Sequence, residues 1–271
     1  MITNFRIIIS GSTIEAYFYK EKGVRYDFEK PPENVLSIDR NLSVDDEEKR
    51  KMEIRKISMQ RSRSTLRRLV NANAWKWHKE DGKSYLPVFV TLTFKENIKD
   101  TRIANKIFSK FIKRLNYFIT DHHKKGFLKY VVVTEFQDLN RDGVIHYHAV
   151  FFNLKKIWKN KLADIWGKGF VDIKRIDHVD NIGAYISKYM SKHFEDNRLD
   201  GRKRYFSSRD LLKPIEIYDQ QKAYDIVKQI PEKYLAKERE FESVYLGQVK
   251  YKQFKLDKKQ SIFDVIPNLK L

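Results

Sequence analysis

The pattern that most constrains this chain is an alternation of strand-like and helix-like segments between residues 86 and 193. Short β-branched and aromatic runs predict strands, and longer stretches with apolar residues three and four apart predict helices. The strands are predicted over 88–94, 127–137, 144–152 and 169–176, and the helices over 100–123, 155–166 and 180–193. The order β-α-β-β-α-β predicts an α+β fold of ferredoxin-like type, with an antiparallel sheet and helices on one face.

The segments on either side differ from this central pattern. The first 85 residues contain short strand-like runs and then a strongly basic, helix-like stretch over 43–79. The last part is charged and mixed, with a helix-like run near 218–227 and strand-like runs within 241–254. The predicted division is an N-terminal accessory region over 1–85, a central domain over 86–200 and a C-terminal extension over 201–271.

The charge balance predicts a polyanionic partner. The chain has 55 Lys and Arg against 36 Asp and Glu, a formal net charge of +19. Nucleic acid is a better candidate than a membrane, because no long amphipathic, low-polarity helix supports membrane binding. Duplex or single-strand backbone contacts are both open for the basic helix, whose candidate DNA-binding residues are Arg61, Arg63, Arg67 and Arg68.

Other compositional features narrow the class of protein. The chain has no cysteine, which excludes disulfides and cysteine zinc sites and suits a reducing cytoplasm. No apolar run reaches the ~20 residues that span a bilayer, and the first residues lack the features of a signal peptide. We therefore expect a cytoplasmic protein without a membrane partner.

Two histidines flank a tyrosine at His146-Tyr147-His148, inside the predicted strand 144–152. Side chains alternate between the faces of a strand, so His146 and His148 share a face, about 7 Å apart at their Cα atoms. Two imidazoles at this spacing can bind one metal ion. With 7 histidines in 271 residues, chance alone gives about 0.2 such pairs, so the triplet by itself is a weak indication, and two ordinary sheet histidines are the alternative.

The predicted hairpin adds a carboxylate to this face. If its loop spans residues 138–143, Glu135 lies opposite His146, within about 5.5 Å. Two imidazoles and one carboxylate leave coordination positions for water and a phosphate oxygen. His146, His148 and Glu135 are therefore the predicted ligands of a divalent metal, Mg²⁺ or Mn²⁺. A surface charge on the hairpin is the alternative for Glu135.

The predicted helix 180–193 carries a second group of polar side chains. Its members, spaced i, i+3, i+4 and i+7 on one face, are Tyr185, Lys188, Tyr189 and Lys192. A face of two phenols and two ammonium groups suits phosphate better than a core. A phenol is a weak nucleophile at its free pKa of ~10, and neighbouring lysines and a metal-polarised phosphate both favour attack by the phenolate.

Three segments together resemble the motifs of HUH endonucleases, in that family's order. The run from Val144 to Phe151 resembles the His-hydrophobic-His motif, and Val90 to Phe94 resembles the first motif of the family's rolling-circle replication initiators. The stretch from Tyr185 to Lys192 resembles the Tyr-x-x-Lys-Tyr-x-x-Lys motif of two-tyrosine initiators from small single-stranded DNA phages and some plasmids.

The resemblance implies a replication initiator that nicks single-stranded DNA at an origin by metal-dependent transesterification. One tyrosine forms a 5′-phosphotyrosine link and leaves a 3′-OH that primes rolling-circle replication, and the strands can later be rejoined. Tyr185 is the first candidate for the nucleophile and Tyr189 the second. Lys188 is expected beside the bound phosphate, and Lys192 on the DNA backbone. Thr91 and Thr93 of the first motif are expected to support the strands.

Unwinding is expected to need a partner, because the chain has no complete phosphate-binding loop. Gly82-Lys83-Ser84 matches half of the Gly-x-x-x-x-Gly-Lys-Ser pattern, but Trp77 stands at the position of the first glycine. A host helicase and a host polymerase, in the cytoplasm of a bacterial host, are the expected partners.

Two other functions stay open. A transposase or conjugative relaxase would use the same chemistry, but relaxases usually have three metal-site histidines and an N-terminal tyrosine, and two-tyrosine transposases often add a cysteine zinc module. A non-catalytic, RRM-like nucleic-acid binder belongs to another class. Such a module exposes aromatic residues on its sheet face, whereas the predicted face here carries His and Glu.

Overall fold

A computed structural model of the chain describes residues 2–24, 44–121, 126–138, 142–193, 198, 202–243, 247–267 and 269. Its strands are β1 (Ile2–Ser10), β2 (Thr13–Val24), β3 (Val88–Thr93), β4 (Tyr130–Gln137), β5 (Val144–Phe151), β6 (Val171–Arg175), β7 (Tyr205–Ser207), β8 (Ile215–Ile217), β9 (Leu235–Ser243) and β10 (Gly247–Lys255). Its α-helices are α1 (Val44–Asn73), α2 (Thr101–Ile119), α3 (Lys159–Trp166), α4 (Ile182–Ser187), α5 (Gln220–Gln229) and α6 (Ile262–Val265). Two 3₁₀ helices span Lys188–His193 and Glu232–Tyr234.

The chain forms two compact units. One contains residues 1–54 and 213–271, and the other contains residues 55–212. The first unit therefore joins segments from both ends of the sequence. The division at residues 85 and 200 into three regions with separate roles stays a prediction.

The unit of residues 55–212 contains an antiparallel sheet in the order β6-β3-β5-β4-β7. Its first four strands, with α2 and α3, have the predicted β-α-β-β-α-β order, and the α+β fold is confirmed. The short edge strand β7 is an addition that the sequence pattern does not predict. The predicted register of the β4–β5 hairpin is also confirmed, because Glu135 lies directly opposite His146.

The two crossover helices lie on one face of this sheet, as predicted. Both are amphipathic, and their buried residues include Phe108 and Phe111 of α2 and Leu162 and Trp166 of α3. These side chains pack with the inward-facing residues of β3, β4 and β5, such as Tyr147. Burial of large aromatic side chains is the main stabilising contribution to this core.

The other face of the same sheet is covered by α1 and α4. Prediction had left that face available, with only the helix after residue 180 placed across it. The residues packed there include Leu66 and Val70 from α1, Ile182 and Ile186 from α4, and Phe89, Val133 and Val150 from the sheet. The basic helix therefore has a buried apolar stripe, formed by residues four apart, beside its charged surface.

The second unit is a sheet in the order β8-β1-β2-β10-β9 with α5 and α6. Ala223 and Ile226 of α5 and Ile262 of α6 pack on Ile7, Ile14 and other residues of the sheet. The strand-like runs at the two ends of the sequence thus pair with each other, β2 with β10. The helix predicted near 218–227 is α5.

Membrane-spanning segments are absent from the part of the chain that the structure describes. No helix there is both long enough and apolar enough to cross a bilayer.

We expect Asn73→Ala to destabilise the unit of residues 55–212. The buried Asn73 amide donates to the carbonyl oxygens of Leu69 and Leu212, each at 2.8 Å, and accepts from the Leu212 N–H at 2.9 Å. Loss of these three bonds should lower the free energy of unfolding by about 2 to 4 kcal/mol, measured by urea denaturation. Gln60→Ala, at an exposed position of the same helix, is the control, and an equal loss for both variants would contradict the assignment.

Candidate functional site

The two histidines lie on the same face of β5, the central strand of the sheet. The intervening Tyr147 points to the opposite face, where it is fully buried. Its hydroxyl donates to Oδ1 of Asn105 on α2 at 2.6 Å, and burial raises its pKa far above the ordinary value. Tyr147 therefore fixes the strand in the core and stays neutral, so it takes no part in phenolate chemistry.

His148 is held from both neighbouring strands. Its Nε2 lies 2.5 Å from Oε2 of Glu135 on β4, and its Nδ1 lies 3.3 Å from Oγ1 of Thr91 on β3. Both members of the His148–Glu135 pair are buried, with side chains 6% and 13% exposed. A hydrogen bond at each ring nitrogen fixes the plane of the imidazole. The expectation that Thr91 supports the histidine strand agrees with this contact.

The donor chemistry and the shared face of His146, His148 and Glu135 suit a divalent metal. As the side chains stand, however, Glu135 is hydrogen-bonded to His148. Within the described ranges, no three His, Cys, Asp or Glu side chains are grouped so as to hold a metal ion. A metal would therefore have to replace the Glu135–His148 hydrogen bond, and the ligand set stays a prediction.

Both candidate tyrosines lie beside this pair. The ring of Tyr189 stacks on the imidazole of His148, with centroids 3.9 Å apart and planes 23° from parallel. The ring of Tyr185 lies 6.3 Å from that of Tyr189, and both contact Phe89, at 5.2 and 5.3 Å between centroids. The structure thus brings the histidine and tyrosine motifs together although they are separated in the sequence.

The ionisation of Tyr189 is suppressed. Burial, a hydrogen bond with Tyr185 and the charges of Tyr185 and Glu135 raise its pKa to about 12. At neutral pH the Tyr189 phenol is therefore protonated. The ammonium of Lys188, by contrast, lies 5.9 Å from the ring centroid of Tyr185, where a positive charge favours the phenolate of that residue.

The predicted single helix over 180–193 is wrong in its second half. α4 ends at Ser187, and residues Lys188–His193 form a 3₁₀ helix. The change starts where the Lys188 N–H bonds to the Tyr185 carbonyl three residues earlier, which tightens the turn. Four-residue spacing therefore no longer describes one continuous face, although Tyr185 and Tyr189 stay neighbours. The side chain of Lys192 lies outside the described part of the chain.

A close contact with α1 fixes the position of α4. The Gly183 N–H donates to Oδ1 of the buried Asn71 at 2.9 Å, and the Ala184 N–H donates to Oδ1 of Asn181 at 2.8 Å. Two of the free N–H groups in the first turn are satisfied in this way. A Cβ at Gly183 would lie 2.2 Å from the Arg67 carbonyl oxygen, so only glycine allows this approach.

The four candidate DNA-binding arginines all lie on α1. Arg61 and Arg63 are exposed, and Arg67 and Arg68 are half-buried. The Arg67 backbone borders α4, and Arg63 precedes it by one helical turn, on the same side of α1. Their contact with DNA stays a prediction.

Sequence reasoning missed three residues that shape this site, namely Phe89, Asn71 and Gly183. Alternation along β3 could have identified Phe89, because it lies two residues before Thr91 and so shares its face. No local signal identifies Asn71, whose hydrogen-bond partner is 112 residues away. Gly183 is recognisable only as a glycine inside a helix, where a close approach of backbones is a common reason for it.

Comparison with known proteins bears on the segment that contains this site. Residues 87–194 match the model of a family described as replication-associated protein ORF2. The matched segment includes both histidines, Glu135 and both tyrosines, and it supports a role as a replication initiator. No curated protein and no solved structure was found to match the chain.

We expect Gly183→Ala to displace α4. The added methyl group meets backbone atoms of α1, which cannot rotate away, so the free energy of unfolding should fall by about 1 to 3 kcal/mol. Thermal and urea unfolding measure this. Gly82→Ala is the control, because a Cβ there meets nothing within 4 Å, although its positive φ adds some strain. A smaller loss at Gly183 than at Gly82 would contradict the close contact.

Proposed function

We propose that this chain initiates rolling-circle replication by nicking single-stranded DNA at an origin through tyrosine transesterification. The stacking of Tyr189 on His148, with Tyr185 beside it, carries the proposal. Nucleophile candidates and candidate phosphate-site residues thus share one pocket of side chains, in a segment that matches a replication-associated family. A role in strand rejoining follows, because transesterification conserves the energy of the phosphodiester bond.

Tyr185 is the proposed first nucleophile. Its phenolate oxygen attacks phosphorus and forms the 5′-phosphotyrosine link, while the P–O3′ bond breaks and the 3′ oxygen leaves as a hydroxyl after taking up a proton. Lys188 is exposed and lies near the Tyr185 ring, so its ammonium can favour the phenolate and contact a phosphate oxygen.

Tyr189 is proposed for a second transfer. Its pKa of about 12 keeps it protonated, so it can donate a hydrogen bond to Tyr185 while Tyr185 reacts. A change of surroundings after the first transfer, with Tyr185 esterified, removes the Tyr185 charge that helps to raise this pKa. The two tyrosines would then act in succession rather than compete.

His146, His148 and Glu135 are the proposed ligands of Mg²⁺ or Mn²⁺. When bound, such an ion would polarise the scissile phosphate and stabilise the charge that develops on it. Thr91, at Nδ1 of His148, would hold the imidazole in position through its other ring nitrogen. Phe89 stacks 5.8 Å from the same ring and limits its movement.

The non-catalytic RRM-like alternative is less well supported. An RRM binds nucleic acid on an open sheet face with exposed aromatics, whereas α1 and α4 cover the corresponding face here. A transposase or relaxase of the same chemistry differs in its DNA substrate rather than in this site. A host helicase, a host polymerase and a cytoplasmic location in a bacterial host stay predictions.

The nicking proposal predicts a covalent adduct. Labelled single-stranded DNA that spans the origin of the chain's own replicon, mixed with protein and Mn²⁺ or Mg²⁺, should give a protein–DNA band on denaturing gels that EDTA abolishes. Tyr185→Phe should reduce its yield by at least a hundredfold, because the attacking oxygen is lost. Tyr117→Phe, an exposed tyrosine on α2, is the matched control and should react normally.

Two outcomes would count against this proposal. Cleavage without an adduct would mean that water, not tyrosine, is the nucleophile. Neither cleavage nor adduct at any candidate origin would favour a binding function.

We also expect His148→Ala to weaken Mn²⁺ binding at least tenfold, because one of three protein ligands is removed. Isothermal calorimetry on the DNA-free protein measures this without reference to activity. His178→Ala, at an exposed position, is the control. Equal Mn²⁺ affinity of both variants would show that the metal binds elsewhere.

A further inference from the structure

A group of exposed aromatic rings and lysines surrounds α3, away from the tyrosine site. We name it the Trp158–Phe170 platform, formed by Lys156, Trp158, Lys159, Lys168 and Phe170. Trp158 and Phe170 are 75% and 58% exposed, and both are among the large hydrophobic residues that are described as exposed. Such exposure of two aromatic side chains near each other is unusual on a protein surface and marks an interaction site.

Lysines accompany both rings. Lys156 Nζ lies 5.4 Å from the Trp158 ring centroid, and Lys159 Nζ lies 4.7 Å from that of Phe170. Since Lys159 directly follows Trp158, it connects the two rings on one surface. Lys159 also lies 3.7 Å from Asp172. Positive charge nevertheless dominates, because residues 155–175 contain seven Lys and Arg and two Asp.

The turn before β6 holds Phe170 in place. Phe170 N–H donates to Oγ1 of Thr93 at 3.0 Å, Thr93 N–H donates to the Phe170 carbonyl at 2.9 Å, and Lys95 N–H donates to the Lys168 carbonyl at 2.7 Å. A Cβ at Gly169 would lie 2.4 Å from the Thr93 carbonyl oxygen, so glycine is needed for this approach. The exposed ring therefore projects from a rigid turn rather than from a flexible loop.

Buried contacts under the turn add to this rigidity. Trp166 is fully buried, and its Nε1–H donates to the Thr93 carbonyl at 2.8 Å. The Arg114 guanidinium of α2 donates to the Ile165 and Trp166 carbonyls at the end of α3, at 2.8 and 3.2 Å. Trp158, at the other end, is the N-cap of α3. A binding surface on such a fixed support loses little conformational entropy when it is occupied.

The platform is close to the proposed site along the sheet. Phe170 is hydrogen-bonded to Thr93, and Thr93 lies directly opposite His146 in the β3–β5 pair. β6 is the edge strand on this side of the sheet. A strand of nucleic acid that passes this edge can therefore reach both the platform and the histidine face.

We propose that the Trp158–Phe170 platform binds single-stranded DNA next to the cleavage site, an inference that rests on the proposed nicking function. Unpaired bases stack on the Trp158 and Phe170 rings, and the ammonium groups of Lys156 and Lys168 contact phosphates. Stacking on aromatic side chains accepts any base, whereas the bases of a duplex are already stacked on each other. The platform thus selects unpaired over paired DNA.

The test is binding, not cleavage, in the uncleaving Tyr185→Phe, Tyr189→Phe protein. Fluorescence anisotropy with labelled (dT)₂₀ and with a 20-base-pair duplex measures both affinities. Trp158→Ala with Phe170→Ala should raise the Kd for (dT)₂₀ at least tenfold and change the duplex Kd less than twofold. Trp158→Phe should retain most of the affinity, because it keeps a ring. Lys156→Gln with Lys168→Gln should reduce the salt dependence of (dT)₂₀ binding by about 1 to 1.5.

The matched control is Tyr224→Ala with Phe263→Ala, which removes two exposed aromatics of the other compact unit and should leave both affinities unchanged. An unchanged Kd for (dT)₂₀ in the Trp158, Phe170 variant would overturn the proposal. So would an equal loss of duplex binding, or a loss confined to binding of phosphatidylserine vesicles. Because no cleavage is needed, failure of the adduct experiment alone would remove the nicking function and leave the platform as a binding surface.

Discussion

The pairing of β5 with β3 on one side and β4 on the other determines the position of every residue of the candidate site. His148 contacts Thr91 across one pair and Glu135 across the other. A slip of one residue in either pair would turn a partner to the opposite face. Tyr147 opposes such a slip, because its ring is buried among aromatics and its hydroxyl is bonded to Asn105 on α2. The polar chemistry on one face is thus fixed by apolar packing on the other.

The sequence was sufficient for features that depend on short-range periodicity. Alternation along β4 and β5 and a short loop between them fixed the register, including Glu135 opposite His146. The order of elements likewise followed from successive local patterns. The ends of the strands and helices were less exact, and the helix after residue 180 was predicted to continue where the chain changes to a 3₁₀ helix. There a hydrogen bond of the Lys188 N–H, not a side-chain pattern, decides the outcome.

Features that depend on distant partners could not be predicted. The basic character of α1 suggested a solvated helix, and the four-residue spacing of Leu66 and Val70 was not used to place it on the sheet. Asn71 and Gly183 form a contact between elements far apart in the sequence, and neither residue type indicates the other. The consequence for the site is that its tyrosines are half-buried in an apolar cluster, which raises the pKa of Tyr189. Access of DNA to them depends on the edge of the sheet rather than on its face.

The pairing of β2 with β10 has a consequence for the biosynthesis of the protein. β2 is made early, whereas residues 247–255 are translated only after the whole of the unit of residues 55–212. During translation, β1 and β2 can form at most a two-stranded hairpin, which is marginally stable alone and has an open edge. The central unit can fold first, since Asn73 and Leu212 bring its two chain ends together. Maturation therefore proceeds from the inserted unit outward, and a nascent chain that has its tyrosines in place still lacks the sheet formed by its two ends.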